Sequence, residues 1–535
     1  MNAKRTRYFD RRTFLGTAAL GAAAFVAPRF AGAQDIRRAR PTGVVPITAG
    51  RIRGVVLENG VSAFYGVPYG ASTAGDGRFM PPKPVPGWTD VRDTMAVTGR
   101  SPQDLDGPIP EVYALDRRQP MSEDCLHVNV FTPAAGTGAR PVMVWLHGGG
   151  FSSGSGDWLL YDGARLAASR DVVVVTVTHR LNVFGYLYLP EIGGEKYAHS
   201  TNVGMQDIVL ALEWVQHNAA AFGGDPGKVT LFGQSGGGRK VSILTGMPAA
   251  KGLFHRAIVM SGSQNTGTSA SDATEATRKF MALVGASTAD DLQRMPMETL
   301  RAAAVKSNFN LQPVLDGVTL LEHPYDPVAT AVSANVPLIV GTVEHEATFT
   351  RSTPLDPIDD PALRKAVKNE TRATDAQVEQ LIAIYRKGRP NVENVDLLQI
   401  LISDNGYRAR ADVMCDAKVK QGTASVYRYQ FNWQSPVREG KLKSFHTLDI
   451  PFAFDNVDVA ASMTGGGQER YALAEKISTA FATFARSGDP NHSGLPRWPA
   501  FNAAERPTMI FDNECRVVND PHRDERLALA ELRKT

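Results

Sequence analysis

Cysteine is scarce in this chain of 535 residues, which holds only Cys125, Cys415 and Cys515. Three thiols make at most one bridge, so a disulfide framework is excluded, and no C-x-x-C pair offers a metal grip. Long apolar runs are missing too: the stretch from Ala18 to Ala27 is too short to cross a bilayer, and no other segment is long and apolar enough. A basic excess is lacking once the first 33 residues are set aside. They hold six cations against Asp10, so of the total charge of +3 the remainder carries −2. Nucleic acid is therefore not an expected partner. Internal repeats and low-complexity linkers are absent after residue 40. With 43% hydrophobic and 21% charged residues, the chain must stand on a large core, with no metal or cofactor expected.

The first 33 residues read as an export signal. Arg11-Arg12-Thr13-Phe14-Leu15 is a twin-arginine core, followed by the short apolar stretch and the small-residue cleavage pattern Ala31-Gly32-Ala33. Cleavage after Ala33 leaves Gln34 in front, with no cysteine there for a lipid. The expectation is a periplasmic or secreted protein with residues 34–535 as a single domain and no lasting membrane insertion.

After an opening hairpin (Ile47 to Tyr65) and a proline-rich loop over 66–90, apolar strands alternate with helices. Strands are expected at 141–147, 171–178, 228–232, 257–260, 336–341 and 424–431, with helices at 164–169 and 205–218. The run Val172-Val173-Val174-Val175 fits a strand buried on both faces. Alternation of this kind predicts a mostly parallel α/β sheet with its site at the carboxyl ends of the strands. Residues 270–330 and 355–420 read as mostly helical insertions capping that site.

Gly233-Gln234-Ser235-Gly236-Gly237 fits G-x-S-x-G between the strand Lys228 to Phe232 and a helical run beginning at Val241. A serine on such a turn has its hydroxyl thrust into a cleft, and it needs a base, an orienting acid and an oxyanion hole. The hole is expected at His147-Gly148-Gly149-Gly150-Phe151, where glycines let backbone N–H groups approach a carbonyl oxygen. Of the late histidines, His446 in Ser444-Phe445-His446-Thr447 is preferred over His492, in a polar turn, and His522, in a charged tail. Glu346, in the loop Gly341 to Glu346, is the preferred acid, with Glu344 and Asp316 as competitors.

These motifs resemble the type-B carboxylesterase family of cholinesterases and bacterial para-nitrobenzyl esterases. The likeness runs from about residue 47 to 512 and includes Ser122-Glu123-Asp124-Cys125-Leu126, Phe222-Gly223-Gly224-Asp225-Pro226 and Ala249-Ala250-Lys251-Gly252-Leu253-Phe254. It implies an α/β-hydrolase fold, Ser235 as nucleophile, Glu346 as acid and His446 as base. It further implies oxyanion donors from the N–H groups of Gly149, Gly150 and Gly236, the last usually alanine in the family. Gln234 stands where the family has glutamate, which removes a charge that favours cationic substrates. Leu115 falls where cholinesterases cradle choline with an aromatic ring, so a choline ester is disfavoured. Phe309 falls near the family's acyl pocket. Ser101 replaces the usual partner of Cys125, leaving that thiol unpaired, while a Cys415–Cys515 bridge stays open. Lys240, on the helix behind the nucleophile, is expected to be a core charge paired with a carboxylate.

The function expected is hydrolysis of small, uncharged carboxylic esters, short- to medium-chain or aromatic, through an acyl-enzyme. A non-catalytic adhesion protein is the competing class, disfavoured because all three triad residues are present. Lipase and amide-hydrolase activities stay open.

Overall fold

Val172 to Val175 offer no polar face to water, and Val173–Thr178 is accordingly a strand buried along its whole length. This computed structural model describes residues 40–104, 110–116, 119–136, 138–307, 311–350 and 354–533. The export segment 1–33 and Phe309 lie outside them. From Arg40 onward the described residues form one compact unit.

The strands of the main sheet, in chain order, are β1 (Arg40–Ile47), β2 (Gly50–Val56), β3 (Ser62–Pro68), β4 (Val91–Asp93), β5 (His127–Thr132), β6 (Arg140–Leu146), β7 (Val173–Thr178), β8 (Gly224–Gln234), β9 (Arg256–Met260), β10 (Leu338–Val343), β11 (Val426–Phe431), β12 (Pro507–Phe511) and β13 (Arg516–Asn519). Their spatial order is β1-β2-β3-β5-β7-β6-β8-β9-β10-β11-β12-β13, with β4 beside β2. The middle of the sheet, from β7 to β12, is parallel throughout, and antiparallel pairs close both edges.

Alternate residues of each central strand feed two cores. Val142, Val144 and Leu146 face the helix Val203–Asn218, while Met143 and Trp145 join the cluster containing the helix Glu469–Ser487. Trp145 is fully buried, with the rings of Phe232 and Phe454 at 4.8 and 4.9 Å.

Between β9 and β10 the chain carries helices Ala270–Val284, Ala289–Arg294 and Met297–Ser307, and between β10 and β11 helices Asp360–Thr371, Asp375–Gly388, Asn394–Ser403 and Ala409–Gln421; the last packs Ala411, Met414 and Cys415 into the core with Leu338 and Val426. The helical expectation for 270–330 fails over its last part, 311–330, which is irregular apart from a two-residue strand at Val314–Leu315. Pro313, Pro324 and Pro327 withhold N–H groups there, and Gly317 turns the chain at φ 69°. No helix among the described residues is long and apolar enough to cross a membrane.

Candidate active site

Strand β8 runs through Gln234, and the next helix starts at Gly236, five residues earlier than expected. Ser235 joins them at φ 56°, ψ −121°. A side-chain-bearing residue held in such a region costs on the order of 1–3 kcal/mol, so its surroundings must enforce the turn. Its N–H donates to the Met260 carbonyl at 2.9 Å, and its own carbonyl accepts from the N–H of Arg239 at 2.9 Å. The helix then presses against the end of β6. A methyl group at Gly237 would lie 1.8 Å from the Leu146 oxygen, and one at Gly236 would lie 2.3 Å from the backbone nitrogen of Gly150. Glycine at 236 thus lets the glycine loop close down on the serine turn.

That loop leaves β6 with Gly149 at φ 83° and Gly150 at φ 62°. The Gly149 carbonyl accepts from the N–H groups of Ser152 and Ser153 at 3.2 and 3.0 Å. His147 Nδ1 donates to the Gly148 carbonyl at 2.8 Å. The imidazole stays neutral, because burial and then the nearby Lys240 hold it well below its ordinary value. It stacks on His179 at 4.9 Å, and the Nε2 atoms of both rings are buried without a hydrogen-bond partner.

Lys240 departs from expectation. It is wholly buried and has no carboxylate in ion-pair reach among the described residues; its Nζ donates instead to the His147 carbonyl at 3.0 Å. Burial pushes it down to about 7. The physical reason is a shift toward the neutral amine, which needs no counter-charge and still donates an N–H.

Glu346 follows β10 and is fully buried. Its Oε1 accepts from the N–H of Val343 at 3.0 Å, and its Oε2 meets His446 Nδ1 at 2.5 Å. Backbone pairing one residue upstream of each brings them together: His345 bridges Phe445, and its N–H donates to the Ser444 carbonyl at 3.0 Å. Nδ1 therefore carries the proton facing Glu346, and Nε2 is left as the basic lone pair. The Gln234 amide nitrogen lies 3.4 and 3.3 Å from His446 Nδ1 and Nε2, while the Tyr407 ring lies 5.1 Å from the imidazole.

The competing residues have other partners. Asp316 is spent on its own turn, accepting from the N–H groups of Val318, Thr319 and Leu320. Glu344 turns toward His345 and the charge of Arg408. His492 bonds the Lys476 carbonyl, and His522 lies against Arg389. Leu115 is buried in the cluster with Trp158 and Tyr161. Cys125, Cys415 and Cys515 are all free and buried, so the question of a Cys415–Cys515 bridge is answered in the negative, and Ser101 hydrogen-bonds the Cys125 thiol.

One group beside the acid escaped sequence reasoning. Asp449 is fully buried and takes the Tyr429 hydroxyl on Oδ2 at 2.7 Å, leaving Oδ1 unmet. Burial, then the charge of Glu346, pushes it up to about 7 against the pull of the Tyr429 hydrogen bond. Its only signal in the sequence is a carboxylate three residues after His446.

A parallel sheet delivering a strained serine, a glycine loop and a carboxylate-bound imidazole to one edge defines an α/β-hydrolase, the fold of the solved esterases it superposes on. The carboxylesterase family model matches residues 41–530, and the chain belongs to that family as a carboxylic-ester hydrolase. It is 35% identical over 506 residues to the para-nitrobenzyl esterase of Bacillus subtilis, covering 91% of this chain and 98% of that protein. Phenmedipham hydrolase of Pseudarthrobacter oxydans is 31% identical over 508 residues, covering 91% and 98%. Among solved structures, a thermophilic pNB esterase matches with TM-score 0.79 at 34% identity, over 91% of this chain and 99% of that one. An esterase of Clostridium hathewayi matches at TM-score 0.79 and 31% identity, over 92% and 100%.

Proposed function

We propose that the enzyme cleaves its ester through Ser235, His446 and Glu346. His446 Nε2 takes the hydroxyl proton of Ser235 as the oxygen attacks the ester carbonyl. The N–H groups of Gly149, Gly150 and Gly236 receive the resulting oxyanion. The tetrahedral intermediate collapses, the alcohol leaves with the proton from His446, and water then cleaves the acyl-enzyme by the same relay. The observation that carries this reading is the 2.5 Å contact between His446 Nδ1 and Glu346 Oε2, which favours a proton on Nδ1 and leaves Nε2, with the Gln234 amide 3.3 Å away, as the accepting nitrogen. Replacement of Ser235 by alanine is expected to abolish hydrolysis of p-nitrophenyl butyrate and labelling by a fluorophosphonate. Substantial turnover in that variant would overturn the assignment.

The substrates we infer are uncharged short- to medium-chain or aromatic esters. Gln234 places an amide, not a carboxylate, beside the serine, and the para-nitrobenzyl group in one relative's name is aromatic. A panel varying acyl and alcohol size, with a choline ester included, tests this; preference for the cation would sink it. We also propose export through the twin-arginine segment, with residues 34–535 as the mature single domain, periplasmic or secreted. An exported protein beginning at Gln34, lost when Arg11 and Arg12 become lysine, is the expected result.

A further inference from the structure

In a trans peptide the carbonyl and the following N–H point in opposite directions, so holding one fixes the other. Three successive peptides between His147 and Gly150 are held in this way. The Gly149 carbonyl is gripped by Ser152 and Ser153, which turns the N–H of Gly150 the other way. The Gly148 carbonyl is gripped by His147 Nδ1, which does the same for the N–H of Gly149. The His147 carbonyl, at the root of the loop, is gripped by Lys240 Nζ at 3.0 Å. Glycines have the widest backbone freedom of any residue, so a run of three requires such restraint if its N–H groups are to converge before substrate arrives.

We propose that Lys240 is a positioning residue of the oxyanion hole: by holding the His147 carbonyl it fixes the residue whose ring orients the Gly149 N–H. The inference rests on the oxyanion-hole reading above. The buried amine needs an acceptor, and the one it meets is the carbonyl at the root of the glycine loop. A lysine kept as a charge would have a carboxylate nearby, and none forms an ion pair with it among the described residues. The helix that carries Lys240 also carries Ser235 at its start, so one element sets both the nucleophile and the loop that faces it.

The test compares Lys240→Met and Lys240→Leu, which lose the donor, with Lys240→Gln, which keeps one. Rates are expressed per site titrated with a fluorophosphonate, so misfolded molecules drop out. The expected result is a fall in kcat of about tenfold for the donor-less variants, short of the ~10²–10³ for deleting an oxyanion donor outright. KM should stay nearly constant, the affinity for a trifluoromethyl ketone should fall in parallel with kcat, and Lys240→Gln should recover part of both. A kcat per site within about twofold of the parent in either donor-less variant overturns the proposal, as does a loss confined to KM. An unchanged ketone affinity beside a lowered kcat overturns it too. Failure of the underlying triad is separately visible, since the parent would then resist the fluorophosphonate or Ser235→Ala would still react with it.

Discussion

Arg506 and Lys240 are both buried cations, yet they are served on opposite plans. Arg506 meets Asp416 at 2.6 Å, Asp412 at 3.3 Å and Asp520 at 3.6 Å, and Asp520 is shared with Arg526 at 2.6 Å. Arg389 and Glu525 extend the network at 2.7 Å and tie the C-terminal helix Arg523–Leu532 to the body. Around the serine, by contrast, ionisable groups stand nearly alone. Lys240 has a carbonyl, Asp449 has one tyrosine hydroxyl, and His147 and His179 each leave a ring nitrogen unmet. In the network, multiple partners offset the loss of hydration, and against its burial the pull of Asp412 and Asp416 raises Arg506 above its ordinary value. Beside Ser235, isolated groups drift toward neutral forms, Lys240 down to about 7 and Asp449 up to about 7. The Glu346–His446 pair therefore lies among few competing charges, where a field is least diluted.

Three measurements break or sharpen that contrast. The largest effect belongs to Glu346→Gln, which keeps the shape and removes the charge: kcat should fall by about 10³–10⁴ with the fold intact by circular dichroism. A loss of less than about tenfold would mean that the imidazole does not depend on its partner. Next comes Arg506→Met, which takes from Asp416 its close cation and leaves Asp412 and Asp520 with fewer partners; urea unfolding should show a stability loss of about 3 kcal/mol, with kcat per titrated site unchanged. An altered kcat would make the network part of the site. The smallest is Asp449→Asn. Folding raises this carboxyl from 3.8 to about 7, so between those values the native chain holds a proton that the unfolded chain has lost. Stability from this group is present at low pH and fades as pH rises through that window. The Tm of Asp449→Asn relative to the parent should therefore climb between pH 4 and pH 7 and level off above. A difference that stays flat with pH would show that Asp449 is ionised in the native state.

Most of the parallel sheet was legible because its strands must shed all polar character: Val173–Thr178, Arg140–Leu146 and Leu338–Val343 lie within two residues of where apolar runs put them. The strands His127–Thr132 and Pro507–Phe511 and the edge strand Arg516–Asn519 were not, since polar residues interrupt their apolar runs and pairing with neighbours makes them strands. The start of the helix at Gly236 was hidden for a related reason. Gly236-Gly237-Gly238 is a poor helix former, and contact with Leu146 and Gly150 overrides the propensity. That Glu346 and His446 lie in contact agrees with the pairing expected for them. The neutral setting around them was not legible, because the depth at which Asp449 and Lys240 lie is a property of tertiary packing.

The serine at position 101 has a consequence for what holds this molecule together. With Cys125 capped by a hydroxyl, and Cys415 and Cys515 walled into the interior, no covalent crosslink awaits an oxidant. Among the described residues, then, the fold depends on no bond that a reducing or an oxidising solution would break or form.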